Sequence, residues 1–109
     1  MHSELVLFDL PEGLSREALV AGMQEVVPNW RGRPALVRKT FLYDPAARQA
    51  GALYLWTDRS AGESAHGETW RARLRAAYGS DPVVRWFQTP LVIDNALDAV
   101  IAEAQPAGA

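Results

Sequence analysis

The sequence predicts an α+β fold: a ferredoxin-like β-α-β-β-α-β antiparallel sheet followed by a C-terminal helix. Three observations carry that expectation. Apolar runs of strand length alternate with segments of helical period, turn residues separate them, and two strand-like runs lie back to back in mid-chain. The chain has 109 residues, the size of one domain, so residues 1–109 are read as a single unit with a frayed tail over 105–109.

Residues 4–10 are rich in Leu, Val and Phe and stop at Pro11-Glu12-Gly13, which reads as a buried first strand and a turn. Ser15 offers an N-cap, and Glu17 stands where the helix dipole favours an anion. Leu19, Met23, Val26 and Val27 then form a helical stripe that Pro28 ends. Asn29-Trp30-Arg31-Gly32-Arg33 reads as a polar link. A second strand over 35–43 carries Val37, Lys39, Phe41 and Tyr43 on one face and Leu36, Arg38, Thr40 and Leu42 on the other. A turn from Asp44-Pro45 leads to a third strand over 51–57, apolar on both faces.

Asp58 is placed to cap a helix from Arg59 that Gly62 and Gly67 break. Residues 68–78 make a better helix, with Trp70, Leu74, Ala77 and Tyr78 in register and Gly79 ending it. A fourth strand over 83–87 is interrupted by Pro90, which must lie at an edge or bulge, and resumes over 91–93. Asp94 or Asn95 then caps a short helix with Leu97, Val100 and Ile101 along one side.

Helices cover only one face of such a sheet, yet three strands are apolar on both. Leu5 and Leu7 oppose Val6 and Phe8; Leu53 and Leu55 oppose Tyr54 and Trp56; Val83 and Phe87 oppose Val84 and Trp86. An uncovered apolar face exceeds what a soluble monomer tolerates. The expected cover is a second copy of the chain across a two-fold axis, with residues 91–93 reaching the partner.

Composition excludes much chemistry. Without cysteine there is no thiol nucleophile, disulfide or Cys-ligated metal. The 2 histidines, His2 and His66, are too few for an ordinary zinc site. A net charge of −2 argues against nucleic acid, and the arginine and alanine content reads as a GC-rich codon bias. No apolar run approaches the ~20 residues of a membrane helix. Met1-His2-Ser3-Glu4 lacks a basic signal n-region, so a cytoplasmic protein is expected.

Pro34-Ala35-Leu36-Val37-Arg38-Lys39, a turn, and Ala50-Gly51-Ala52-Leu53-Tyr54-Leu55-Trp56 resemble the YdhR-type mono-oxygenase family of the dimeric α+β barrel superfamily, related to antibiotic-biosynthesis mono-oxygenases. Trp70-Arg71-Ala72-Arg73-Leu74, Val84-Arg85-Trp86-Phe87 and Val92-Ile93-Asp94-Asn95 are similar to that family's later segments. The resemblance spans residues 34–95 and rests on structural motifs. It implies a homodimer whose two sheets close into a barrel, with a pocket between each sheet and its helices. It also implies oxidation of a small aromatic or phenolic compound by molecular oxygen with no metal, flavin or other cofactor. Such a protein needs only to exclude water, orient the rings and stabilise a phenolate or enolate.

Candidate residues follow. Lys39, the single lysine, matches a lysine of the family pattern and is a candidate to hold an oxyanion or move a proton; alternatively it snorkels past the sheet edge or pairs with a carboxylate. His66 is a candidate base for a phenolic proton, or an exposed helix histidine. Tyr54, Trp56, Trp70, Tyr78 and Trp86 line an aromatic pocket or form plain core. Arg38 and Arg85 clamp an acidic substrate or reach the sheet rim. Arg71, Arg73 and Arg75 read as a solvated face, His2 as idle, and Trp30 as a pocket cap or a dimer-seam residue. Gly62 to Gly67 has phosphate-loop spacing but puts Glu68 where the lysine belongs.

Three functions compete. The first is the cofactor-free oxygenase. The second is a non-catalytic dimeric module that binds a small apolar ligand or only assembles. The third is an RNA-binding domain, for which only Gly51 and Tyr54 fit the strand signature while Ala50 replaces its basic residue.

Overall fold

Alternation in the first strand decides how the molecule is layered. The computed structural model describes residues 1–102. Strand β1 (His2–Asp9) turns Glu4, Val6 and Phe8 inward, where all three are buried. Ser15 then caps α1 (Arg16–Glu25), accepting a hydrogen bond from the Ala18 amide at 3.1 Å. Pro28 does more than end that helix. It lies in the first turn of a short α2 (Val27–Trp30), where a missing N–H costs nothing, and so places Trp30.

Strands β2 (Leu36–Asp44) and β3 (Gln49–Trp56) form the expected hairpin, with a bulge between Leu36 and Arg38. Asp58 caps α3 (Arg59–Ala65) through the Ser60 amide, 3.1 Å away. Gly67 opens α4 (Glu68–Tyr78), and Gly79, at φ 77°, closes it with its amide on the Arg75 carbonyl at 2.8 Å. Strand β4 (Val83–Gln88) completes a four-stranded sheet in the order β2-β3-β1-β4, antiparallel at every pairing.

Gly62, expected to break α3, lies buried inside it. A Cβ there would meet Trp86 Cη2 at 2.4 Å and Trp56 Nε1 at 2.8 Å, so the glycine lets the helix rest on two indoles.

The helices cover the inner face in two clusters. Val6, Ala52, Tyr54 and Trp56 pack with Trp30, Ala61, Ala65, Trp70 and Trp86. Phe8, Leu19 and Ala50 pack with Met23, Leu74 and Tyr78. The opposite face carries Leu5, Leu7, Leu42, Leu53, Leu55, Val83 and Phe87; Leu55 is buried, whereas Leu53 and Phe87 are each 41% exposed.

The C-terminal helix expected after Asp94 does not form. Strand β5 (Leu91–Asp94), which was expected to continue the fourth strand, pairs instead with β6 (Ala99–Ala102) in a separate two-stranded sheet. The Asp94 carboxylate does accept a downstream amide, Leu97 at 3.1 Å, but Asp98 then adopts φ 49° and reverses the chain. Val92, Ile93, Val100 and Ile101 are β-branched and favour this hairpin. An Arg38–Asp94 ion pair ties β5 to β2. The tail expected over 105–109 lies outside the described residues.

Candidate active site

Lys39 pairs with Tyr54 across β2 and β3, and strand alternation turns its side chain toward the helices. Its ammonium meets rings rather than a carboxylate. Nζ stands 4.1 Å from the Trp30 ring centre, 4.3 Å from Phe41 and 4.8 Å from Tyr54. Each face offers a negative quadrupole to the cation, yet three rings do not replace lost water. Burial, then repulsion from Arg33, lower the Lys39 pKa to about 7, with Glu4 opposing. The group therefore changes charge near neutrality and is poised to receive an anion.

Beside this cage lies a second device. Glu4 and His66 are both buried, joined from the start of β1 and the end of α3. His66 Nδ1 is 2.8 Å from both oxygens of Glu4, and Trp56 Nε1 donates to Glu4 Oε1 at 3.0 Å. With Glu4 ionised, Nδ1 must carry the proton, which leaves Nε2 as the free ring position. Nε2 is buried without a hydrogen-bond partner among the described residues. Leaving a buried ring nitrogen unpartnered costs about 1–3 kcal/mol, which marks Nε2 as a candidate acceptor for a ligand proton.

Aromatic rings enclose the imidazole: Trp70 at 4.1 Å between centres, Tyr54 at 4.6 Å, Trp30 at 5.4 Å and Trp56 at 6.3 Å. Burial and the charge of Glu4 push the Tyr54 hydroxyl far above its ordinary range, with Arg33 opposing, so Tyr54 serves as a neutral hydroxyl.

Three spaces adjoin these residues, one of them a groove of about 250 Å³ bordered by Trp30, Arg38, Lys39 and Phe41. A cavity of about 70 Å³ between sheet and helices touches Lys39, Phe41, Tyr54, Trp70, Leu74 and Tyr78. Outside it, a cleft of about 530 Å³ separates α1 and α2 from α4, bordered by Trp30, Arg33, Trp70, Arg73, Leu74 and Tyr78. Trp70, Leu74 and Tyr78 belong to both, so they form the partition between them. The outer space has the size of an ordinary small-molecule site. Among the described residues no cluster of His, Asp and Glu is suited to hold a metal ion.

The structure thus brings Lys39, Tyr54, Trp56, His66 and Trp70 together, with Tyr78 at the far end of the cavity against Phe8, ring centres 4.7 Å apart. Trp86 lies on the same sheet face but under α3, with the Arg59 guanidinium 5.0 Å above its ring. Arg38, on the other side of β2, spends its charge on Asp94, and Arg85 lies over Phe87 at 4.8 Å. Neither arginine borders the 70 Å³ cavity.

Trp30 packs against both Lys39 and His66. Sequence reasoning passed over Glu4 because it opens an apolar run. The signal was available: Glu4 is in phase with the inward-facing Val6 and Phe8, so its carboxylate had to find a buried partner. No helix among the described residues is long and apolar enough to cross a membrane. In comparisons with protein-family models and with curated proteins, nothing matches this chain.

Proposed function

We propose that the chain is a cofactor-independent mono-oxygenase for a small aromatic or phenolic compound, working as a homodimer. One observation carries the reading: a desolvated lysine ammonium, caged by three rings and with no ion-paired carboxylate among the described residues, borders an aromatic cavity. That arrangement suits an electron-rich phenolate or enolate better than a neutral ligand. The strand order β2-β3-β1-β4 supports the ferredoxin-like assignment, and the apolar outer face supports closure of two sheets into a barrel.

In this reading the aromatic body occupies the inner cavity opened into the outer cleft by movement of the Trp70, Leu74 and Tyr78 partition, and Lys39 neutralises the substrate anion. The anion supplies every electron that oxygen receives. An activated methylene carbon loses its two hydrogens and becomes a carbonyl; one oxygen atom is retained and the other leaves as water. The protein contributes orientation, a dry surface and a counter-charge.

Oxygen uptake with anthrone-like and quinol substrates tests the proposal. Uptake is expected with the wild type and falls about 10²-fold or more in Lys39→Ala, the scale for removing a group that stabilises an oxyanion. No uptake across the panel, or uptake unchanged in the variant, contradicts it. The small volume of the inner cavity, about 70 Å³, favours a second reading, a dimeric module that holds a small apolar ligand without turnover. Native mass spectrometry with a ligand retained but no oxygen consumed selects that reading.

A further inference from the structure

We infer that Glu4 is a positioning residue that holds His66 as the proton acceptor for an acidic hydroxyl group of the ligand. This rests on the aromatic-site reading above and adds the route of the proton. The Glu4 carboxylate accepts from Nδ1 of His66 and from Nε1 of Trp56, which fixes ring orientation and tautomer together. The same anchoring directs the lone pair to Nε2, the one buried side-chain nitrogen or oxygen without a partner among the described residues. Trp30, Tyr54 and Trp70 pack around His66 and leave it buried.

His66 borders none of the three spaces directly. Trp70 stands in contact with the imidazole and borders both the cavity and the cleft, so on this inference its indole must move aside for a ligand to reach Nε2. The step balances. The ligand O–H bond breaks, an N–H bond forms at Nε2, and the electron pair stays on the ligand oxygen. The imidazolium faces Glu4, while the new oxyanion faces the ammonium of Lys39. Lys39 and His66 pack against the same Tyr54 and Trp30 rings, so the oxyanion formed beside Nε2 has the Lys39 ammonium in the same aromatic cluster as its counter-charge. The ligand class this selects is a phenol or enol, in which a hydroxyl proton is acidic enough for imidazole to take.

The probe is 4-nitrophenol, whose anion is coloured, mixed with the whole protein at a pH below the free probe's own ionisation. The wild type is expected to bind it as the anion, with Nε2 becoming protonated by nitrogen NMR. His66→Gln and Glu4→Gln are expected to bind the probe with the anionic fraction reduced about tenfold, their folds verified by near-UV circular dichroism. Glu4→Asp is expected to restore part of it, which a merely structural role does not predict. If the probe binds with the same anionic fraction in His66→Gln, or if only Lys39→Met removes the anion, the inference is overturned while the aromatic site stands. If the wild type does not bind the probe, both fall.

Discussion

Lys39 gives the sharpest residue-scale consequence. Its pKa is about 7 in the fold because burial strips water from the ammonium, against an ordinary value of 10.5. Between those values the unfolded chain binds more protons than the folded one, so this group makes stability rise as pH increases from about 7 toward 10.5. Urea unfolding at pH 7 and pH 9 is expected to show that gain in the wild type and its loss in Lys39→Met, the variant being the more stable at pH 7. A wild type and variant with parallel pH dependence contradict the burial of the charge. An anionic ligand should reverse the preference by drawing a proton onto Lys39, seen as proton uptake on binding near pH 7–8.

The same residue shows what was legible from sequence. Lone lysine, mid-strand and in phase with Phe41 and Tyr43, already marked a charge on an apolar face. Its ring partner Trp30 was not legible, because that contact depends on where Pro28 redirects the chain.

At the scale of elements, helix α3 depends on Gly62, which the sequence presents as a helix breaker and the structure uses as a contact. Gly62→Ala is expected to destabilise by about 1–3 kcal/mol, because the new methyl must displace Trp86 or Trp56. Loss smaller than the helix-propensity gain of alanine over glycine, about 1 kcal/mol, contradicts the close approach. Since Trp56 also bonds Glu4, the variant is further expected to disturb His66, visible as a shifted imidazole resonance.

The two hairpins explain the one element that was misread. Asp44 accepts the Ala47 amide and Arg48 has φ 53°; Asp94 accepts the Leu97 amide and Asp98 has φ 49°. A side-chain bond from an aspartate to the amide three residues on is shared by helix starts and by such turns. What separates the two is the following residues. Around Asp94 they are β-branched on both sides, and the period of two across 91–94 and 99–102 outweighs the helical spacing of Leu97, Val100 and Ile101. The first hairpin was legible because its strands are long; the second was hidden by having four residues a side.

For the whole molecule, the unanswered face of the sheet dominates. Leu5, Leu7, Leu42, Leu53, Val83 and Phe87 lie on one surface of the sheet; in the separate β5–β6 hairpin Leu91, Ile93, Val100 and the turn residue Leu97 are each more than half exposed. The molecule measures 53 × 31 × 25 Å, with a radius of gyration of 15.3 Å against about 13 Å for a compact chain of this length. The two-sided apolar pattern of three strands was plain in the sequence, whereas the β5–β6 hairpin with its exposed apolar residues was not.

A second copy placed sheet to sheet would bury both surfaces and keep the inner face for the ligand, as the proposed function requires. Leu53→Lys, on the outer face, is expected to weaken that association at least tenfold while leaving the inner site and its nitrophenol binding in place. Sedimentation velocity of the wild-type chain at micromolar concentration tests the pairing most directly. A species of twice the 12.0 kDa chain mass is the predicted result; a stable, soluble 12.0 kDa species across that range contradicts it.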